Sequence, residues 1–124
     1  MTTMTLGQLR DELRKYDPMD RVRLDCLPRV QPTTFDSWRG VYAELALGYE
    51  TIHYRTTPIT VGELLTRIEA APLDIYEGWK GGSNRVTYDT PVHLDNRGCY
   101  TCVEITGTRM DDQEVLITLK GEEE

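Results

Sequence analysis

No stretch of this chain approaches the roughly 20 apolar residues that a membrane-spanning helix needs, and Glu44 interrupts the most apolar part. Cysteine is scarce: there are three, an odd number, which suits a reducing compartment better than a disulfide framework. Positive charge is short as well. Fourteen Lys and Arg stand against 21 Asp and Glu, a net −7, so the basic footprint that holds long duplex nucleic acid is missing. Only two histidines occur, His53 and His93, and there is no GxSxG, HExxH or metal-chelating acidic motif. The start Met1-Thr2-Thr3-Met4 has neither a basic region nor an apolar segment, so no secretory signal is expected and an intracellular location is.

What is present fits one globular domain, residues 1–121, followed by the acidic tail Glu122-Glu123-Glu124. Thr5-Leu6-Gly7-Gln8 reads as a capping box, with Leu6, Leu9, Leu13 and Tyr16 at helical spacing and Asp17-Pro18 as the stop. Thr60-Val61-Gly62-Glu63 repeats the design 55 residues on, followed by Leu64, Leu65 and Ile68 and stopped near Pro72. Two copies at that distance suggest two similar helix starts in one domain rather than a solenoid.

Strands are expected where Val22, Leu24 and Cys26 alternate with charged residues, and from Val41 through Tyr49. Thr51 to Arg55 is β-prone too, while Pro28 and Pro32 are expected to break regular structure. Short strands follow at 85–88 and 90–94, then a hairpin of 100–108 and 114–120 turning near Met110-Asp111-Asp112. The fold class expected is α+β: two short helices with a mainly antiparallel sheet in a single domain.

Two polar stretches carry the chemistry. Phe35-Asp36-Ser37-Trp38-Arg39-Gly40 runs into the second strand, and Gly78-Trp79-Lys80-Gly81-Gly82-Ser83-Asn84-Arg85 follows the second helix. Each sets a tryptophan beside a cation and a glycine: a flat face for a base, a charge for a phosphate, bare backbone for close approach. Adjacent glycines let main-chain N–H groups converge on an anion, although the P-loop spacing is missing. The plainer reading of each stretch is a structural tryptophan and a flexible loop. Between Gly78 and Val103 the charge balance reverses to one net positive, which permits a small anion in an otherwise acidic protein.

Other constellations are thinner. Cys99-Tyr100-Thr101-Cys102 is a CxxC that would need Cys26 and either histidine to hold structural zinc, and strand geometry would point its two cysteines to opposite faces. No metal and no cofactor is therefore expected. His53 or His93 could assist phosphodiester cleavage, but no motif supports it.

The succession Thr5-Leu6-Gly7-Gln8-Leu9, the Phe35–Tyr49 run, Thr60-Val61-Gly62-Glu63-Leu64-Leu65, Trp79-Lys80-Gly81-Gly82 and Asp89-Thr90-Pro91-Val92 resembles the first-described family of phage-encoded Thoeris anti-defence sponges. The resemblance spans Thr5 to about Leu119. It implies a homo-oligomer in the host cytoplasm that binds cyclic ADP-ribose isomers, and in some members cyclic di- or trinucleotides at a separate site, and withholds them intact.

Residue chemistry then nominates the contacts. Arg39, Lys80, Arg97 and Arg109 supply charge, and the N–H groups of Gly81 and Gly82 add neutral donors. Trp38, Tyr42, Trp79 and Tyr88 offer stacking faces, while Asn84, Asn96 and Asp36 read polar edges. The alternatives are an enzyme that cleaves such a messenger and a protein-binding inhibitor of a host effector. Neither a membrane nor a long nucleic acid is expected as partner.

Overall fold

The computed structural model describes residues 3–25, 30–37, 45–73, 76–77, 83–84, 86–94 and 102–121. Within those ranges the side chains of 36, 37, 76, 77, 83, 84, 102, 103, 120 and 121 are not described.

Both helix starts form as their caps dictate. Helix α1 is Leu6–Leu13; the Thr5 hydroxyl accepts from the Gln8 N–H (3.2 Å) and the Gln8 side chain accepts from the Thr5 N–H (2.9 Å). Helix α2 is Val61–Ala70; the Thr60 hydroxyl accepts from the Glu63 N–H (3.2 Å) and donates to the Glu63 carboxylate (3.3 Å). Leu6, Leu9 and Leu13 of α1 and Val61, Leu64 and Ile68 of α2 are fully buried. They share one core with Val22, Leu24, Leu45, Leu47, Val92, Leu94, Ile105, Val115 and Ile117 from the sheet. Helix α2 ends in a 3-10 turn, Ala71–Leu73, around Pro72.

The main sheet has six strands: β1 (Arg21–Leu24), β2 (Val30–Ser37), β3 (Leu45–Thr51), β6 (Val92–Leu94), β7 (Cys102–Asp111) and β8 (Glu114–Gly121), in the order β1-β8-β7-β6-β3-β2. Strands β4 (Tyr76–Glu77) and β5 (Ser83–Asn84) form a separate small hairpin that lies against β2. Strands β1 and β2, at opposite ends of the order, also approach each other, so the sheet curls almost into a barrel. Among the described residues no helix is long and apolar enough to cross a membrane.

The α+β class holds, but the sheet is mixed rather than mainly antiparallel. β1 pairs with β8 and β3 with β6 in parallel, whereas β2–β3, β6–β7 and β7–β8 are antiparallel. Each parallel pair joins strands far apart in sequence, and alternation of side chains carries no information about strand direction.

Other expectations change too. Pro32 does not break the chain: it lies inside β2, an end strand of the order, where a missing N–H is tolerated, and the register shifts between Pro32 and Phe35. Of the expected strand at 85–88, residue 85 lies outside the described residues, 86 and 87 form no strand and a turn follows at Tyr88-Asp89; β3 ends at Thr51, leaving the rest of the β-prone run in a loop. The β7–β8 hairpin closes on Asp112 and Gln113, both at positive φ (47° and 67°), the geometry of a type I′ turn.

The two helix starts are more than look-alikes. Leu6 and Gly7 donate to the carbonyls of Thr90 and Tyr88 (2.8 Å each), in the turn that precedes β6. Val61 and Gly62 donate to those of Asp20 and Pro18 (2.8 and 2.9 Å), in the turn that precedes β1. In the turn before β1 the Met19 N–H reaches the Asp17 side chain (2.9 Å); in the turn before β6 the Asp89 N–H reaches the Thr87 hydroxyl (3.2 Å). Glycine fits closely at both helix starts: a Cβ there would lie 3.0 Å from the Tyr88 oxygen or 3.2 Å from that of Pro18, so the facing turn would have to give by a few tenths of an ångström.

The described elements thus fall into two halves of the same order, α1-β1-β2-β3 and α2-β6-β7-β8, which differ in that β6 pairs with β7 whereas β1 and β2 only approach. Each helix caps the other half's first strand, and each first strand pairs in parallel with the other half's last.

A polar contact ties α1 to β7. The Glu12 carboxylate accepts from Lys15 (2.6 Å) and from the Thr108 hydroxyl (3.1 Å), and Tyr16 meets the same hydroxyl (3.0 Å). Lys15 first, and Thr108 with it, hold the carboxyl below its ordinary 4.5. A depressed carboxylate stabilises the fold above 4.5, and that contribution is lost as pH falls through the folded value. Glu12→Gln is therefore expected to lower the melting temperature slightly at pH 7, with parent and variant converging well below 4.5 in an acid melting series.

Candidate functional site

Most of the nominated contacts lie outside the described residues: Trp38, Arg39, Tyr42, Trp79, Lys80, Gly81, Gly82, Asn96 and Arg97. Asp36 and Asn84 are described in backbone only. Asp36 pairs with Ala46 near the end of β2, and Asn84 pairs with Tyr76 in the small hairpin.

Tyr88 and Arg109 are described in full, and both are engaged. The Arg10 guanidinium lies over the Tyr88 ring, 4.4 Å from its centroid, so one ring face is covered by a cation. Arg109, opposite Leu116 in the β7–β8 ladder, donates to the Asp25 carboxylate at 2.8 Å. Its charge braces the end of β1 against β7. The described contacts do not bring Tyr88 and Arg109 together.

Topology relates the strands that flank the two tryptophan stretches. Residues 38–44 connect β2 to β3, and residues 78–82 connect β4 to β5, the hairpin that lies against β2. The Leu45 N–H at the start of β3 donates to the Pro91 carbonyl (3.0 Å), three residues beyond Tyr88. Strand β3 therefore begins beside the turn that carries Tyr88.

Two clefts are formed by described residues. The larger, about 690 Å³, is a shallow shelf between the turn before β1 and the β7–β8 tip, lined by Met19, Asp20, Arg21, Met110, Asp112, Gln113 and Glu114. It contains none of the nominated residues.

The smaller, about 400 Å³, lies between the β3–α2 connection, the first half of β2 and helix α2. Gln31, only 2% exposed, forms its floor: its amide donates to the Glu50 carboxylate (3.1 Å) and the Thr57 carbonyl (3.0 Å) and accepts from the Ile59 N–H (3.0 Å). Around it stand His53, Arg55, Glu63 and Arg67. The Arg55 N–H donates to His53 Nδ1 (3.3 Å), so the neutral imidazole carries its proton on Nε2. Arg67 donates to the Thr33 carbonyl, and the Arg55 guanidinium lies 5.3 Å from the Tyr54 ring centroid.

Of this set the sequence marked only His53 for chemistry, as a candidate zinc ligand and as an aid to phosphodiester cleavage, and Glu63 for a helix cap. Gln31, Arg55 and Arg67 belong to three separate segments with no shared motif. One signal was available: Arg67 stands, at the 55-residue spacing, where α1 has Glu12, a reversal of charge between equivalent positions.

No protein-family model, curated protein or solved structure matches the chain.

Proposed function

We propose that this protein binds and sequesters nucleotide-derived immune messengers without degrading them. Cyclic ADP-ribose isomers come first, with cyclic di- and trinucleotides as further ligands of the same class. In this reading it acts as a homo-oligomer in the cytoplasm of an infected host.

The observation that carries the reading is where the two halves differ. The β7–β8 hairpin closes in two residues, Asp112 and Gln113, whereas the equivalent β2–β3 hairpin carries residues 38–44. Helix α1 reaches the turn before β1 within a few residues, whereas α2 reaches the turn before β6 only after residues 71–86, which include the β4–β5 hairpin. These are the two largest differences in length, and they contain Trp38-Arg39-Gly40 and Trp79-Lys80-Gly81-Gly82. Residues added to a scaffold that closes without them are the natural carriers of function. Nanomolar capture of a scarce messenger takes about −12 kcal/mol, within reach of several charge-assisted bonds and one or two stacked bases in a preformed pocket.

The test is recovery of ligand. Purified protein is incubated with each cyclic nucleotide in excess, heat-denatured, and the supernatant chromatographed. The expected result is a thermal upshift with one messenger class and intact ligand returned in full. Consumption of the excess would instead mark an enzyme, for which His53 beside Glu50 supplies an imidazole and a carboxylate in one cleft. No shift with any nucleotide, together with a stable complex with a host effector, would mark a protein-binding inhibitor. Arg39→Ala and Lys80→Ala are each expected to weaken binding at least tenfold with an unchanged melting temperature.

A further inference from the structure

The 400 Å³ cleft is separate from the stretches that carry the sequestration reading. Gln31 pairs with Glu50 at one end of the β2–β3 ladder and Ser37 with Leu45 at the other. Six strand residues set the cleft about 20 Å from the point where residues 38–44 leave the sheet.

Its chemistry is unevenly satisfied. Each carboxylate is held by a neutral donor, Glu50 by the Gln31 amide and Glu63 by the Thr60 hydroxyl. Neither guanidinium has a carboxylate within 4.0 Å among the described residues; Arg67 gives one N–H to the Thr33 carbonyl and Arg55 lies against Tyr54. A guanidinium has five N–H donors in a fixed fork, so among the described residues most of this donor capacity has no partner. His53 adds an Nε2–H, because its Nδ1 accepts from the Arg55 backbone. The walls thus offer two cationic forks and an imidazole donor, beside a carboxylate that can still accept from a hydroxyl.

We propose that this cleft is a binding site for a small phosphate monoester with a neighbouring hydroxyl, the phosphate lying between Arg55 and Arg67 and the hydroxyl donating to Glu50. A lone carboxylate ligand would be satisfied by a single bidentate arginine, whereas three donor groups around one space suit a tetrahedral anion. The volume is ample for a pentose phosphate and lies within the usual range of small-molecule clefts. The inference is independent of the sequestration reading, and either can fail alone.

The experiment is calorimetric titration of the full chain at low salt with ribose 5-phosphate, inorganic phosphate and free ribose as probes. Ribose 5-phosphate is expected to bind best, inorganic phosphate at least tenfold more weakly, and ribose not at all. Arg55→Gln and Arg67→Gln are each expected to weaken ribose 5-phosphate binding at least tenfold. Arg55 is exposed and can be replaced without risk to the fold; the Arg67 variant, which loses its bond to Thr33, is read alongside its circular dichroism spectrum. Glu50→Gln is expected to narrow the preference for ribose 5-phosphate over inorganic phosphate. Undetectable binding of both phosphates, binding unchanged in Arg55→Gln, or ribose binding as well as its phosphate would each overturn the proposal. Arg55→Gln is also titrated with the cyclic nucleotides, and unchanged binding there separates this site from the other.

Discussion

Replacing residues 38–44 by Asn-Gly is expected to leave a protein that folds like the parent and no longer binds any cyclic nucleotide. The fold supplies its own precedent. Ser37 pairs with Leu45 at the mouth of the β2–β3 connection, just as Asp111 pairs with Glu114 around the two-residue turn of the equivalent hairpin. Asn-Gly is the sequence best suited to a type I′ turn, since both central residues take positive φ without strain. Shortening the connection from seven residues to two also recovers about 1 kcal/mol of closure entropy.

Stability within about 1 kcal/mol of the parent is therefore expected, a melting temperature within roughly 5 °C. Loss of Trp38, Arg39 and Tyr42 together removes a stacking face and a cation, so binding is expected to fall below detection in calorimetry. A folded variant that binds like the parent would place the messenger site elsewhere and end the argument from unequal halves. A variant that does not fold would make the connection part of the core, against the equivalence of the two hairpins.

The helices were legible because their signals are local. A threonine cap, a partner three residues on and leucines at helical spacing all act within one turn, so Thr5 and Thr60 mark both starts correctly. The β7–β8 hairpin was legible for the same reason, being a contact between neighbours in sequence. The glycines at 7 and 62 were visible as residues but not as constraints. The tight fit comes from carbonyls 81 and 44 residues away, those of Tyr88 and Pro18. The parallel pairings were illegible on the same grounds: β1 meets β8 across almost the whole chain. The 55-residue similarity pointed to the relation between the halves, yet only the crossed hydrogen bonds establish what it means.

For the candidate sites the lesson is different. Tyr88 and Arg109 were chosen for what a tyrosine and an arginine can do, and the fold has already committed part of each, to Arg10 and to Asp25. Residue chemistry reports capacity, whereas a neighbour decides how much of it remains. The cleft around Gln31 shows the converse: ordinary polar residues from β2, the β3–α2 connection and α2 acquire a joint meaning only when the strands are in register.

Gln31→Leu is expected to cost about 2–3 kcal/mol, a fall of about 10 °C in melting temperature. Gln31 has the burial of a core residue, and its side chain anchors the β3–α2 connection to β2 by two hydrogen bonds, to Thr57 and Ile59, with a third to Glu50 of β3. Leucine fills a similar volume, but it leaves the buried Ile59 N–H without its acceptor and removes a donor from the carbonyl of the more exposed Thr57, and an unmet buried polar group costs about 1–3 kcal/mol. The gain from burying an extra apolar side chain offsets only part of that sum.

A second variant separates hydrogen bonding from packing. Gln31→Glu keeps an acceptor for Ile59, yet at neutral pH it sets a carboxylate against the Glu50 carboxylate and the Thr57 carbonyl. Burial and the adjacent negative charge raise the introduced group's folded pKa above its unfolded value, so the deficit is present at pH 7 and shrinks as pH falls through the folded value and the proton restores a donor. Thermal melts from pH 7 to pH 5 should show the two variants diverging, with Gln31→Glu recovering and Gln31→Leu holding a constant deficit. A leucine variant as stable as the parent at every pH would mean that the three bonds only replace equally good ones to water, and the connection bearing His53 and Arg55 would have to be held by its turn, the buried Ile59 and the Val22 N–H bond to the Ile59 carbonyl.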